Sequence, residues 1–489
     1  MANISSLGSA AGIDGESIIK QLLAVETQPK TKVQAENTTL NTNLSTWGKI
    51  QSAFAAVKDA ANALTKNDFW KATTATSSDD TAVSVTPSTE SSAGSYAVAV
   101  QSLAQSQYVA SSAFTDKTAT VGEGTLTIEL GTFTANPTAP PAATFAAKAA
   151  ATAVNIEIGP GDNTLEKIRD KINAANAGVT ASLVTDASGT RLVVRGANTG
   201  ADNAFRISVS DADGANSDGS GLSALAYDPS ADITSMTRSQ AATNAKATIN
   251  GLEVTSDSNT LKNVVDGLTI KLNKVTDTAT ASNPVNLTVN TDTAGIRKGI
   301  DAFSKAYNDA IGLIRVQTMY DADSKTGGPL QGDSTAVGLL NQLRSMAGTS
   351  TSASSVFTRL SDIGLEMNKD GTFTTNETKI GKALSDNLGE LQKFFATSND
   401  ADATGAGMAQ RFYKMASQIT DSDGSIAART DGIKSTIRRN EKKIDDIDNR
   451  LTLVEARLRA QYTALDNSMT KLNSLSAYVS QQLSVLTSS

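Results

Sequence analysis

Reading back from Leu486, an apolar residue falls at every seventh position: Val479, Leu472, Leu465, Leu458, Leu451, Ile444 and Ile437. A period of seven held this long describes an α-helix that presents one seam to a partner. With these residues as one line of the heptad seam, the companion line runs Ile433, Asn440, Ile447, Val454, Gln461, Ser468, Leu475 and Gln482. It is mostly apolar up to Val454 and mostly polar after it. One helix from Ile433 to Leu486 would span roughly 80 Å, longer than a globular domain needs. Such a helix requires cover, and Leu40, Leu44, Trp47, Ile50, Phe54, Val57, Ala61 and Leu64, spaced by threes and fours, supply a matching amphipathic segment. We therefore expect Leu40, Leu44, Trp47 and Phe54 to form a coiled-coil core with Ile437, Ile444, Ile447, Leu451, Val454 and Leu458. Beyond Leu465 the seam runs on with neither a Gly cap nor a cationic last turn. Extended apolar surface of this kind marks an association site. The expected docking residues are Leu465, Met469, Leu472, Leu475, Val479, Leu483 and Leu486, with Ile18, Leu22 and Val25 from the other end of the chain.

Asp14 is placed to cap a first helix carrying Ile18, Ile19, Leu22, Leu23 and Val25, and Pro29 is expected to interrupt it. From Lys71 the periodicity changes to two. Val83 and Val85, then Tyr96, Val98 and Val100, flank the turn-rich "TPSTESSAGS". Strands follow in "GTLTIELGTF" and "RISVSD", and "VTASLVTDASGTRLVVRG" reads as a hairpin. In "AKATINGLEVTS" the Asn250-Gly251 pair is a strong hairpin signal, since both turn positions need positive φ. "NTLEKIRDKINAAN" is an embedded helix with Leu165, Ile168 and Ile172 on one face. The Pro- and Ala-rich "TANPTAPPAATFAAKAAAT" is read as a long surface loop.

Helix returns at "TAGIRKGIDAFSKAYNDAIGLIRVQT" and at Ser334 to Met346. "IGLEMNKDGTFTT" is a hairpin, a single helix is expected through Leu384, Leu388, Leu391 and Phe394, and the chain is nearly all helix from Met408 on. If the helical ends pack together, the strand-rich middle is an insertion. The expected class is α+β and multidomain, with N- and C-terminal helices packed as a helical-bundle leg and nested β-rich head domains between them. The nested boundaries are 1–40 with 451–489, 41–70 with 291–450, 71–112 with 238–290, and 113–237.

Composition removes several function classes. With 489 residues the chain has room for roughly two to four domains. It holds neither Cys nor His, which excludes disulfides, thiolate chemistry and imidazole bases. Forty-three basic against 50 acidic residues give a net charge of -7, the wrong field for nucleic acid. The opening "MANISSLGSAAGIDGESIIKQLL" lacks the cationic and apolar regions of a signal peptide, and no run approaches the ~20 apolar residues of a membrane span. Neither a cleaved signal nor membrane insertion is expected.

The chemical candidates are weak. Asp211, Asp213 and Asp218, or Asp321 and Asp323, resemble calcium ligands, but the EF-hand needs Gly at position six and Glu at twelve, where counting from Asp211 gives Asn216 and Leu222. They read as Asx turns. Asp445 and Asp446 are adjacent on a helix and diverge by about 100°, so they cannot flank one bond. No catalytic residue, cofactor or metal is assigned. The charged block "RRNEKKIDDIDNRLTLVEARLR" reads as a solvated helix face.

Three stretches carry a family resemblance. "SLGSAAGIDGESIIKQLLAVETQP" resembles the N-terminal signature of flagellar hook-associated protein two, the filament-capping family. "QYTALDNSMTKLNSLSAYVSQQL" is similar to its C-terminal signature, and "DIGLEMNKDGTFTTNETKIGKAL" to its internal one. "AYNDAI" and "INGLEVTSDSNTLKNVVDGLTIKL" follow in the same order, whereas residues 115–160 match no family motif. The resemblance implies an extracellular, non-enzymatic cap at the distal tip of the bacterial flagellum, exported by the flagellar type III apparatus. It further implies a homo-oligomeric ring of about four to six copies that retains flagellin and promotes its insertion into the filament. The implied partners are flagellin, a hook-associated junction protein and a flagellar export chaperone. A flagellin-like or hook–filament junction protein is the close alternative, separated by open-ended rather than closed assembly. A surface adhesin or a calcium-binding β-domain enzyme is the remote one.

Overall fold

The computed structural model describes residues 14–487, apart from 137–140, 142, 150, 279, 280, 324, 400 and 403. Its α-helices, in chain order, are α1 (Gly15–Thr65), α2 (Asn67–Trp70), α3 (Leu165–Ala174), α4 (Thr293–Thr318), α5 (Ser334–Gly348), α6 (Glu377–Asp386), α7 (Leu388–Ala396), α8 (Met408–Thr420) and α9 (Ser425–Thr487). The chain divides into two compact units, one made of residues 1–70 with 293–489 and the other of 71–292.

The first unit is helical. Trp47, Ile50, Phe54, Val57, Ala61 and Leu64 recur on one face of α1 and are fully buried. They join a core with Ile300, Phe303, Tyr307 and Ile311 of α4, Phe394 and Phe395 of α7, and Phe412 and Met415 of α8. Aromatic rings fix the geometry: Phe303 meets Phe412 edge-on at 5.0 Å, and Tyr307 stacks on Phe373 at 4.2 Å. Trp70, just past the end of α1, donates its indole N–H to the Leu64 carbonyl at 2.8 Å and stacks on Phe395. Asp333 serves two elements at once. Its carboxylate caps α5 by accepting from the Thr335 and Ala336 amides, and it pairs with Arg429 of α9 at 2.8 Å.

Two helical expectations need correction. Pro29 does not interrupt the first helix, since α1 runs through it for 51 residues. The missing N–H and the ring clash cost roughly 3 kcal/mol. Polar links to α9 flank the proline, at Glu26 and Lys30. The single helix expected through Leu384 and Phe394 is instead α6 and α7, broken at Asn387 (φ −137°, ψ 34°). Asn competes with helical hydrogen bonding, and the break lets Leu384 and Leu391 both reach the core.

The second unit is β-rich and has two cores. One lies between two antiparallel sheets. The larger has the strand order Thr73–Ser77, Val285–Thr291, Gly94–Ser102, Ala245–Ile249, Leu252–Ser256; the smaller joins Thr260–Val265, Leu268–Leu272 and Val83–Pro87. Alternate residues such as Val98, Val100, Leu287 and Ile270 fill the space between them. Val83–Pro87 and Gly94–Ser102 flank one turn-rich stretch yet lie in different sheets, so that stretch does not close a hairpin. Asn250 and Gly251 turn the Ala245–Ile249 and Leu252–Ser256 hairpin with φ of 51° and 83°. The Asn250 amide oxygen also accepts from Ala97 N at 2.9 Å, tying the turn to the next strand.

The other core packs α3, through Leu165, Ile168 and Ile172, with strands including Gly124–Ala135, Gly189–Gly196 and Ala204–Asp211. Here the surface-loop expectation is partly overturned. Ala143–Ala147 is a strand paired to Gly124–Ala135 with Phe145 opposite Phe133, and Val154–Ile158 pairs to the same strand. Its one large side chain gave no alternation to read, yet Phe145 lies 4.9 Å from Phe133 and takes the Arg206 guanidinium over its ring. Residues 137–140, 142 and 150 of that stretch lie outside the described residues.

Three of the acidic candidates form Asx turns: Asp213 accepts from the Ala215 amide at 2.8 Å, Asp218 from Ser220 at 2.9 Å, and Asp321 from Asp323 at 3.0 Å. Asp211 does not; its carboxylate accepts from the Ser223 amide, twelve residues on, at 2.8 Å. Among the described residues no acidic or thiol group is placed with others to hold a metal ion.

Two outcomes follow from this packing. Residues 71–292, expressed alone, should unfold cooperatively with heat, because their strands pair within the unit. A fragment without a cooperative transition would contradict the nesting. The second outcome concerns Glu390. It accepts from Lys393 at 2.8 Å and from Ser354 and both Ser355 donors, which hold its carboxyl down to about 2. A depressed folded-state value stabilises above the ordinary glutamate range near 4.3 and is lost as pH falls toward 2. Glu390→Gln should therefore lower the melting temperature at pH 7, with the gap to wild type closing at about pH 2.

Candidate assembly interface along the terminal helices

The expected docking and coiled-coil residues lie on α1 and α9, which run antiparallel. Asp14 starts α1 by accepting from Ser17 N at 3.0 Å. Four links then advance along α1 as they retreat along α9. Glu16 receives a two-pronged bond from Arg459 at 2.9 Å, Glu26 meets Arg450 at 2.9 Å, Lys30 meets Asp448 at 2.6 Å, and Asn37 accepts from Asn440 at 2.9 Å. The Arg459 fork holds the Glu16 carboxyl below its usual range. Exposed ion pairs contribute only about 0–1 kcal/mol each, so their value here is alignment. The Asn37–Asn440 bond is the stronger register device, because sliding the helices would leave two partly buried amides facing apolar neighbours.

The apolar residues grade along this pair. Trp47 and Phe54 are fully buried in the helical core, where Ile433 also lies. Leu40, Leu44 and Ile437 are half-buried against that core. Ile447 is buried, and Ile444, Leu451, Val454 and Leu458 are half-buried. On α1 the residues most deeply covered beyond the core are Ile19 and Val33, not Ile18, which is half-buried. Neither was among the candidates, although a seven-residue line was present to find them: Ile19, Val33, Leu40, Trp47, Phe54 and Ala61 all fall on it, with Glu26 filling the one gap.

Among the described residues, α1 covers little of α9 past Arg459. Continued along the same register, α1 reaches its Asp14 cap only slightly beyond that point, while α9 runs on to Thr487. Leu465, Leu472, Leu475, Val479 and Leu483 are all exposed, Leu472 at 56% and Val479 at 47%, and Tyr478 joins them. Met469 is half-buried. Leu22 and Val25 are exposed on α1, away from the buried Ile19 line. Leu486 is within α9, but its side chain lies outside the described residues. Tyr478 was not foreseen. It is off both heptad lines, and only its aromatic bulk signals it.

Chemically, this surface offers exposed apolar side chains interleaved with Ser, Thr, Asn and Gln. Among the described residues no helix is long and apolar enough to cross a membrane.

Comparison with known proteins places the chain in a family. The family profile described as flagellar hook-associated protein 2 C-terminus matches residues 242–474, and that of the N-terminus matches 11–107. A flagellin hook IN motif covers 144–198, beginning inside the 115–160 stretch to which no family motif had been assigned. The B-type flagellar hook-associated protein 2 of Pseudomonas aeruginosa is 31% identical over 96% of this chain and 96% of its own. Flagellar hook-associated protein 2 of Escherichia coli K12 is 32% identical over 99% and 98%. The crystal structure of the flagellar cap protein FliD D1-D2-D3 domains from Escherichia coli matches at a TM-score of 0.63 and 30% identity, covering 80% of this chain and 99% of that one. With profile matches over more than half its length and relatives this similar across nearly all of it, the chain belongs to the flagellar hook-associated protein 2 family.

Proposed function

We propose that this protein caps the distal end of the bacterial flagellar filament as a closed ring of about four to six copies, outside the cell and without turnover of any substrate. The plate retains exported flagellin and promotes its folding and insertion beneath. Residues 1–40 with 451–489 act as the docking part of the leg, 41–70 with 291–450 as its helical base, and the segments within 71–290 as the head. Flagellin, a hook-associated junction protein and an export chaperone are its partners, and the chain leaves through the flagellar type III apparatus.

One observation carries this reading: α9 outruns its partner helix and leaves Leu465, Leu472, Val479 and Leu483 exposed on the described surface. In water such a stripe is costly to display. Burying it against neighbouring subunits recovers about 1.5–3 kcal/mol for each large side chain fully covered, and a ring repeats that gain in every copy. The family relationship supports the same reading, since its structural relatives include a protein described as a flagellar cap. A flagellin-like subunit would polymerise without closing, so mass measurement of the purified assembly separates the two.

Amide exchange over 465–483 should be fast in the isolated subunit and slow once the protein is docked on filaments. Exchange already slow in a demonstrated monomer would contradict docking by this segment. Replacing Leu472 and Val479 with Asp places unpaired charges in the docked seam, at several kcal/mol per copy. The β-rich unit should keep its wild-type melt. Cells carrying the variant should release flagellin into the medium as monomer and swim poorly. Normal filaments, with the variant confirmed as stable and exported, would eliminate the seam as the docking surface.

A further inference from the structure

The two apolar cores of the β-rich unit share no residue among those described. The chain passes between them twice, through residues 103–107 and 241–244, and the two passes form a ribbon. Ser102 lies opposite Lys246 at one end, Gln105 opposite Thr243 in the middle, and Tyr108 opposite Gln240 at the other end. The ladder shifts register on both sides of that middle pair, between Lys246 and Ala247 and between Arg238 and Gln240. Two-stranded ribbons twist more than wide sheets and are weak alone, and bulges bend them. By itself, then, the ribbon is a hinge. Beside it lies a cavity of about 640 Å³, lined from the α3-bearing core by Ala201 and from the other by Lys246 and Thr255.

A third connection crosses the gap. Residues 199–201 leave the α3-bearing core between the strands Gly189–Gly196 and Ala204–Asp211 and reach across the ribbon. Thr199 Oγ1 donates to the Asp257 carbonyl at 2.6 Å, Gly200 N to the Gln105 carbonyl at 3.2 Å, and Ala201 N to the Asn244 side-chain oxygen at 2.6 Å. The Gln105 carbonyl also accepts from Thr243 N at 3.1 Å, so this connection closes on the midpoint of the ribbon. Its near end is fixed by the buried Asn203, whose side-chain amide donates to the Thr199 carbonyl at 2.6 Å. Gly200 makes the contact possible. Its φ is 101°, and a Cβ there would stand 2.4 Å from Asp257 Cβ and 2.7 Å from Asp257 Cα. Glycine alone suits such a conformation and so close an approach.

We propose that residues 199–201 are a strap that locks this hinge: seated, it makes the two cores turn as one body, and displaced, it lets the α3-bearing core swing about the ribbon while both cores stay folded. The two passes of the ribbon run along one line, so they resist separation of the cores but not rotation about that line. Asp257 supplies an anchor away from it. Each core has its own apolar interior and its own strands, so neither needs the strap to hold its fold. Opening the strap breaks the bonds of Thr199, Gly200 and Ala201 and little else, which puts it among the low-cost local openings of the structure.

The test uses the full chain, which contains no Cys, so Ser92→Cys and Ala187→Cys, exposed positions in the turns of the two cores, take spin labels at those sites alone. Electron–electron distance measurement should give one narrow peak, which is lost to a broad or two-peaked distribution when Gly200→Ala is added. Amide exchange in the strands Gly94–Ser102 and Ala204–Asp211 reports whether both cores remain folded. If Gly200→Ala unfolds either core, Thr199→Ala combined with Asn244→Ala decides instead, because it removes two of the strap's bonds and introduces no clash. A broad distribution before any strap variant is made, or a narrow one that persists in the deciding variant, overturns the proposal.

Discussion

Burial of the Trp47, Ile50, Phe54 and Val57 face of α1 against α4 and α8 is the contact on which the rest of the structure depends. The two sides of that contact come from opposite ends of the sequence, with the whole of Lys71–Asp292 between them. Closing so long a loop is less costly than it looks, since each doubling of its length adds only about 0.6 kcal/mol. The penalty is kinetic, because non-local contacts form slowly. A β-rich unit whose first and last strands pair shortens the effective loop before α4 has to find α1. Once the face is buried, α9 is aligned with the first half of α1 and the polar links from Asn37 to Glu16 can form.

Those links then divide one helix between two roles. Up to Arg459 the apolar seam of α9 is buried or half-buried, although Leu453 off that seam is exposed; beyond it, among the described residues, the same unbroken helix presents most of the seam to solvent. No hinge separates the parts, so a force on Val479 is delivered to Ile433 and the core. A stiff rod suits a subunit that must hold its place while others are inserted beside it.

Much of this was legible because it depends on periodicity. The seven-residue line from Ile437 to Leu486, the α4 pattern from Ile296 to Ile314, and the Asn250-Gly251 turn each have one sensible physical reading. What was not legible rested on partners distant in sequence. Pro29 reads as a break when its helix is considered alone, and is tolerated only because α9 lies beside it. Phe145 sits among alanines and threonines that carry no alternation, and its strand is defined by Phe133 and Arg206. Ile18 and Ile19 are equally apolar, and their choice of face follows from a register pinned at Asn440.

The β-rich unit opens and closes on one strand pair. Thr73–Ser77 runs antiparallel to Val285–Thr291 with Thr73 opposite Thr291, and Asp292 N donates to the Ala72 carbonyl at 2.8 Å. Paired residues in such a ladder have Cα atoms only about 4.5–5.5 Å apart. To the helical unit, the whole insertion is therefore equivalent to a tight turn. Any domain whose ends meet at that spacing can take its place without moving Trp47 or Phe303, so the inserted unit can change while the helical unit keeps its core. The same spacing makes Lys71 and Asp292 the natural graft points for displaying a foreign domain.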